Sequence, residues 1–401
     1  MSKLNITFVA SVGERFSGAQ ISFIKILLEV LKMFESDPSI KAIITIPSRN
    51  LPERQMNFVR ELVKIGRGRV KVILLPPAYD KYEIPKRIRT IIRNLLYNYL
   101  KTESKILFIN SEDIHQYFPL VNFPFCRKKV IFWMHATPFL CAPPYVFKEG
   151  NRAVLRYLLE EGFWKMLEYF FYNFCLILLH GRDIVASPGL ISALKGTGFF
   201  RFFRFSAFPH YPIQYDFSYS VEKTFDAVYL ASFIRGKGLK DCLKIWLLVI
   251  GEMPTAKLIV IGPPKELVTR LAEELGISNN IVALGAIYDE KTKRTLLKKS
   301  KLLIYPSVFD SYPNVIAESL SLGLPVLCYD ITPFKENFNL EPVIKVEAKN
   351  YPRAASLIKK VLEDDHRREA LSKEALRFSE ETYSAANVTE RFIKILRGLA
   401  N

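Results

Sequence analysis

The sequence predicts two doubly wound α/β domains, each a parallel sheet covered by helices on both faces. Three observations lead there. Short apolar runs recur along the 401 residues, stretches of helical period separate them, and both rhythms stop just after residue 208. In the first half the strands are expected near 4–10, 41–46, 70–75, 105–109, 130–134 and 174–179. Residues 209–222 carry Pro209 and Pro212 in a polar-aromatic mix that suits neither period, so they read as a linker. The second half is cleaner. Strands are expected at 225–231, 256–262, 281–285, 302–306, 325–329 and 342–346, with helices at 264–276, 289–299 and 313–322. After 365 the chain reads as helical to its end. The expected domains are 1–208 and 223–384, with ligands outside the carboxyl ends of the strands.

Composition narrows the class. With 49% hydrophobic and 24% charged residues the chain is globular, not a low-complexity or disordered polymer. Its five cysteines are far apart and include no Cys-x-x-Cys, which excludes a disulfide scaffold and a cysteine zinc site. No apolar run is long enough to span a bilayer, and Met1 to Ala10 read as a first strand rather than a secretory signal. A cytoplasmic location is the expectation. The net charge of +17 is uneven: +14 falls on residues 1–215 and +3 on the remainder. Such asymmetry suggests two halves facing different partners.

The segment 301–329 is the most informative. A strand ending near Pro306 leads into a loop with Asp310, then a helix opened by Pro313 and closed by Gly323. Backbone amides at 311–315 then form an anion site. Asp310 and Glu318 are acceptors suited to sugar and ribose hydroxyls, or else a helix cap and a solvated acid. The run Pro306-Ser307-Val308-Phe309-Asp310 through Glu318-Ser319-Leu320-Ser321-Leu322-Gly323-Leu324-Pro325-Val326 resembles the family 4 type of nucleotide-sugar glycosyltransferases. Their mark is Glu-x7-Glu within Pro-Ser-x-x-Glu-Gly-Phe-Gly and Glu-Ala-x-Ala-x-Gly-x-Pro-Val. Two departures stand out: Asp310 replaces the first glutamate, and Ser311-Tyr312-Pro313-Asn314 replaces the glycine-bearing loop.

The resemblance implies a GT-B fold, two Rossmann-like domains facing a cleft, with the helix at 385–401 packing back onto the first. It implies a retaining, metal-independent transferase, without a cofactor, that takes a sugar from a UDP- or GDP-linked donor. Glu318 would hold the nucleotide ribose. Asp310 and the backbone amides of 311–314, those of Ser311, Tyr312 and Asn314 among them, would meet the donor sugar. Lys237, followed by Gly238, matches the family's phosphate-facing lysine; its arginine position falls on Ser232, leaving Arg235 to stand in. A cation is required there because the leaving diphosphate gains charge as the glycosidic bond breaks. Taken alone, a Lys-Gly pair at a helix start reads as a solvated turn. Gly262 and Gly285 fall at the family's glycine turns, Gly18 in its first glycine loop, and His135 at its cleft histidine, a contact for donor sugar or phosphate where a lone histidine after an apolar strand is otherwise structural.

No Asp-x-Asp and no metal-spaced cluster occurs in the sequence. Residues 84–101 form a basic amphipathic stretch: Ile84, Ile88, Ile91, Ile92, Leu95, Leu96 and Tyr99 on one face, Lys86, Arg87, Arg89 and Arg93 elsewhere. It suits either an anionic membrane surface, with a glycan or lipid-linked acceptor, or the cover of a sheet. No nucleic-acid module is recognised, and no such partner is expected. The rival to a transferase is a catalytically weak sugar-nucleotide-binding protein, suggested by Ser232 and the shorter Asp310.

Overall fold

The computed structural model describes residues 5–11, 18–46, 51–74, 106–110, 129–134, 183–196, 203–208, 213, 221–233, 236–308, 310 and 312–400. The chain divides into two compact units. One takes its residues from the N-terminal half and from Ala385–Asn401; the other spans Ile213–Ser384.

In the first unit the described strands are β1 (Ile6–Ser11), β2 (Ile40–Ile46), β3 (Val70–Leu74), β4 (Ile106–Asn110), β5 (Lys129–Met134), β6 (Asp183–Ala186) and β7 (Arg204–Ala207). All neighbours are parallel, in the order β3-β2-β1-β4-β5-β6-β7. Every described side chain of β1 from Ile6 to Ala10 is buried, as expected where helices cover both faces. The described helices are α1 (Gly18–Met33), α2 (Glu53–Gly66), α3 (Pro188–Gly196) and the chain's last, α11 (Ala385–Ala400). Helix α11 is part of this unit's core. Its Phe392 packs at 5.1–5.5 Å, ring centre to ring centre, on Phe108, Trp133 and Phe208. Lys129 donates to the Leu399 carbonyl and pairs with buried Asp183 at 3.7 Å, tying the helix end to the strand starts. The expected strand at 174–179 and the basic stretch at 84–101 lie outside the described residues. Strands β6 and β7 were not foreseen.

The second unit holds β8 (Ala227–Leu230), β9 (Leu258–Ile261), β10 (Ile281–Gly285), β11 (Leu303–Tyr305), β12 (Val326–Tyr329) and β13 (Val343–Val346). They form one parallel sheet in the order β10-β9-β8-β11-β12-β13. Strands β9, β11 and β12 are buried throughout. Helices α4 (Leu239–Glu252), α5 (Lys265–Glu274), α6 (Glu290–Lys298), α7 (Asn314–Leu320), α8 (Thr332–Asn337), α9 (Tyr351–Glu363) and α10 (Asp365–Tyr383) cover it. Their starts follow local chemistry: Asp289 caps Thr292 N at 2.7 Å, Asn350 caps Arg353 N and Asp364 caps Arg367 N. The helical tail breaks at Ser384, between α10 and α11.

Each sheet is Rossmann-like. Strand order runs outward in one direction through three strands and then reverses, between β1 and β4 in the first unit and between β8 and β11 in the second. Ligands of such sheets bind outside the carboxyl ends at that reversal.

Candidate active site at the ends of β8 and β11

The reversal in the second sheet brings together the turn after β8 and the loop after β11. The turn at 236–238 is fixed from three sides. Tyr229 Oη donates to the Lys237 carbonyl at 3.0 Å, while Ser307 Oγ at 3.2 Å and Val308 N at 3.0 Å both donate to the Gly236 carbonyl. Gly238 sits at φ +78°, and a Cβ there would lie 2.0 Å from the Pro306 carbonyl oxygen. Only glycine permits that approach. The Gly238 carbonyl then accepts from Cys242 N at 2.8 Å as α4 begins.

This turn delivers the Lys237 ammonium to Asp310. Nζ lies 2.5 Å from Asp310 Oδ2 and 3.1 Å from the Tyr305 hydroxyl, which donates to the same Oδ2 at 2.6 Å. The lysine and aspartate side chains are 16% and 15% exposed, so water screens the pair little. Burial first, then the Asp310 carboxylate, holds the Tyr305 phenol well above its ordinary range, so it remains a donor. The sequence reading missed Tyr305 because it lies in a buried apolar strand and passes for core.

A second charged group forms between α6 and α7. Lys293 Nζ lies 3.1 Å from Glu318 Oε2 and 2.9 Å from Glu290 Oε2. Burial alone would lower the Lys293 pKa, but the two glutamates outweigh it and leave it raised. Lys293 was also unforeseen, since α6 carries several cations and its polar face reads as solvated.

The remaining expected residues fall as follows. Tyr312 is buried: its ring packs 5.0 Å from Phe338 and its hydroxyl pairs with that of Tyr383, so its backbone is what it offers a ligand. Asn314 opens α7, one position later than the sequence suggested, and its Oδ1 is shut from solvent without a hydrogen-bond partner. Gly262 (φ +111°) and Gly285 (φ +72°) end β9 and β10, joined by a 2.8 Å bond from Gly262 N to the Gly285 carbonyl. Gly18 opens α1 in the first unit. Arg235, Ser311 and His135 lie outside the described residues. Among the described residues no group of three His, Cys, Asp or Glu side chains is placed to hold a metal, and no helix is long and apolar enough to cross a membrane.

An uncharacterized glycosyltransferase of Methanocaldococcus jannaschii is 27% identical over 121 residues, 30% of this chain and 29% of the relative's own length. An Anabaena HepE structure in complex with UDP and glucose covers 98% of this chain and 99% of its own, with TM-score 0.63 and 13% identity. A TarM structure covers 98% of each, with TM-score 0.70 and 11% identity. These likenesses show the fold, two Rossmann-like domains of the GT-B type. Residues 215–378, which include Lys237, Asp310 and Glu318, match the family model described as Glycosyl transferases group 1.

Proposed function

We propose that this chain is a retaining, metal-independent glycosyltransferase that moves a sugar from a UDP- or GDP-linked donor to a glycan or lipid-linked acceptor. One observation carries the reading. A preorganised ammonium, Lys237, meets a helix-opening loop at the strand reversal where a doubly wound sheet binds its ligand. The M. jannaschii relative is named a glycosyltransferase, and the HepE complex holds UDP and glucose; both favour the same chemistry here.

In this reading the donor diphosphate displaces Asp310 from part of the Lys237 ammonium. Tyr305 keeps the released carboxylate oriented toward the sugar. Lys237 balances the charge that grows on the leaving phosphate. The orphaned Asn314 Oδ1 gains a sugar hydroxyl as its donor, relieving a buried acceptor that costs about 1–3 kcal/mol unpaired. Glu318 receives the ribose hydroxyls. The reaction is front-face displacement: the acceptor oxygen bonds to the anomeric carbon as the C–O bond to phosphate breaks, and the leaving phosphate takes the acceptor proton. No side chain serves as nucleophile.

The first unit receives the acceptor, and its share of the +17 charge suits an anionic membrane surface, reached through residues 84–101. Equal recovery in the supernatant with anionic and neutral vesicles would remove that part of the proposal.

A thermal-shift panel of UDP- and GDP-sugars tests the donor. A ligand at 100 times its Kd raises stability by about 2.7 kcal/mol, and Lys237→Ala should abolish turnover while leaving the fold. Retained turnover in that variant contradicts the reading. Donor binding with neither hydrolysis nor transfer would favour the weak-binder alternative.

A further inference from the structure

We propose that Lys293 is a positioning residue for nucleotide recognition, fixing the Glu318 carboxylate so that the ribose hydroxyls of a nucleoside diphosphate meet it in a single geometry. The inference rests on the reading of Glu318 as the ribose ligand and deepens it. Lys293 belongs to α6 and Glu318 to α7, so their 3.1 Å contact joins two separate elements at the carboxylate itself. The two side chains are 14% and 13% exposed, whereas Glu290, the other partner of Lys293, is 41% exposed. The inner contact is therefore the less screened one, and Glu290 holds the ammonium from the solvent side.

Glutamate has three rotatable side-chain bonds, and ordering them when ligand arrives subtracts from affinity. A carboxylate offers about four lone-pair sites. Lys293 holds Oε2 in place, so the carboxylate no longer needs to be ordered when ligand arrives. Its own α6 neighbour Lys291 is exposed. Burial of one lysine against an acid of the next helix, rather than a solvated basic face, marks it out. A lysine that merely joined α6 to α7 would change stability and leave ligand affinity alone. One that orients Glu318 changes affinity only while Glu318 is present.

Calorimetric titration with UDP and with GDP separates these roles, using wild type, Lys293→Met, Lys293→Arg, Glu318→Ala and the Lys293→Met/Glu318→Ala pair. For the nucleotide that wild type binds, Lys293→Met should weaken Kd about tenfold and Lys293→Arg should stay within about threefold. The double variant should bind no more weakly than Glu318→Ala alone. Wild-type affinity in Lys293→Met beside a weakened Glu318→Ala overturns this proposal and leaves the ribose reading standing. Additive losses in the double variant also overturn it. Wild-type affinity in Glu318→Ala, or no binding of either nucleotide by wild type, overturns the ribose reading and the proposal with it. If Lys293→Met does not fold, Lys293→Gln replaces it in the cycle, and the same non-additivity is required.

Discussion

Gly238→Ala perturbs the device that aims Lys237 without touching the lysine. The new Cβ would sit 2.0 Å from the Pro306 carbonyl oxygen and 2.6 Å from its carbon, where real Cβ atoms keep at least 3.0 Å, so the turn and the strand end must part by about 1 Å. Two costs follow. Holding alanine at φ +78° takes about 1–2 kcal/mol. Parting the turn also strains its bonds from Tyr229, Ser307 and Val308, each worth about 1 kcal/mol. The larger effect is on function, because a misplacement of about 1 Å can cost roughly 10²-fold in rate. Gly251→Ala in α4 is the control, since nothing lies within 4 Å of a Cβ there. Donor turnover and UDP or GDP calorimetry, beside thermal melts, provide the readout. Gly238→Ala should melt lower and lose both binding and turnover, while Gly251→Ala should match or slightly exceed wild type in stability. Wild-type nucleotide affinity in Gly238→Ala would refute the argument that this close approach positions Lys237.

Tyr305→Phe removes the 2.6 Å donor to Asp310; it should cost about 1.5–3 kcal/mol in urea unfolding and lower turnover, and an unchanged midpoint would contradict the triangle. Burial raises the phenol pKa of Tyr229, Tyr305, Tyr329 and Tyr383 above 10.0, and two glutamates raise that of Lys293 above 10.5 against the effect of burial. The folded state then keeps protons that the unfolded chain releases. This stability is complete below pH 10 and is lost as pH climbs further, by about 1.4 kcal/mol per pH unit per group; a urea midpoint flat from pH 9 to 11 would refute it. Phe392→Ala should destabilise the first unit by about 3–5 kcal/mol, because its ring packs on Phe108, Trp133 and Phe208. Limited proteolysis should find new cuts within residues 1–208 while 213–384 stays protected; cuts confined to α11 would contradict its place in that core.

The strands that could be read in advance are the ones buried on both faces. Leu258–Ile261 and Val326–Tyr329 are unbroken apolar runs, which leaves only a central parallel strand as their reading. Strand β7, Arg204–Ala207, is an edge strand with both ends exposed, so the signal was absent. Strand β6 is four residues long and begins with a buried aspartate, Asp183, whose partners Arg204 and Lys129 are distant in sequence. The site divides along the same line. Lys237, Asp310 and Glu318 were legible because each sits in a patterned turn or helix start with fixed spacing. Tyr305 and Lys293 were not: a phenol in an apolar strand and a lysine among cations acquire meaning only from what faces them across the sheet or the next helix. The burial of the Tyr312 side chain was not legible either, since its contact with Tyr383 links positions that no local pattern connects.

In the proposed complex a diphosphate lies against the Lys237 ammonium while its ribose lies on Glu318. A crystal structure of the chain soaked with UDP or GDP measures this directly. A phosphate oxygen should lie within hydrogen-bond distance of Lys237 Nζ, with ribose hydroxyls on the Glu318 carboxylate. A nucleotide bound away from the ends of β8 and β11, with the Lys237–Asp310 pair undisturbed, would contradict it.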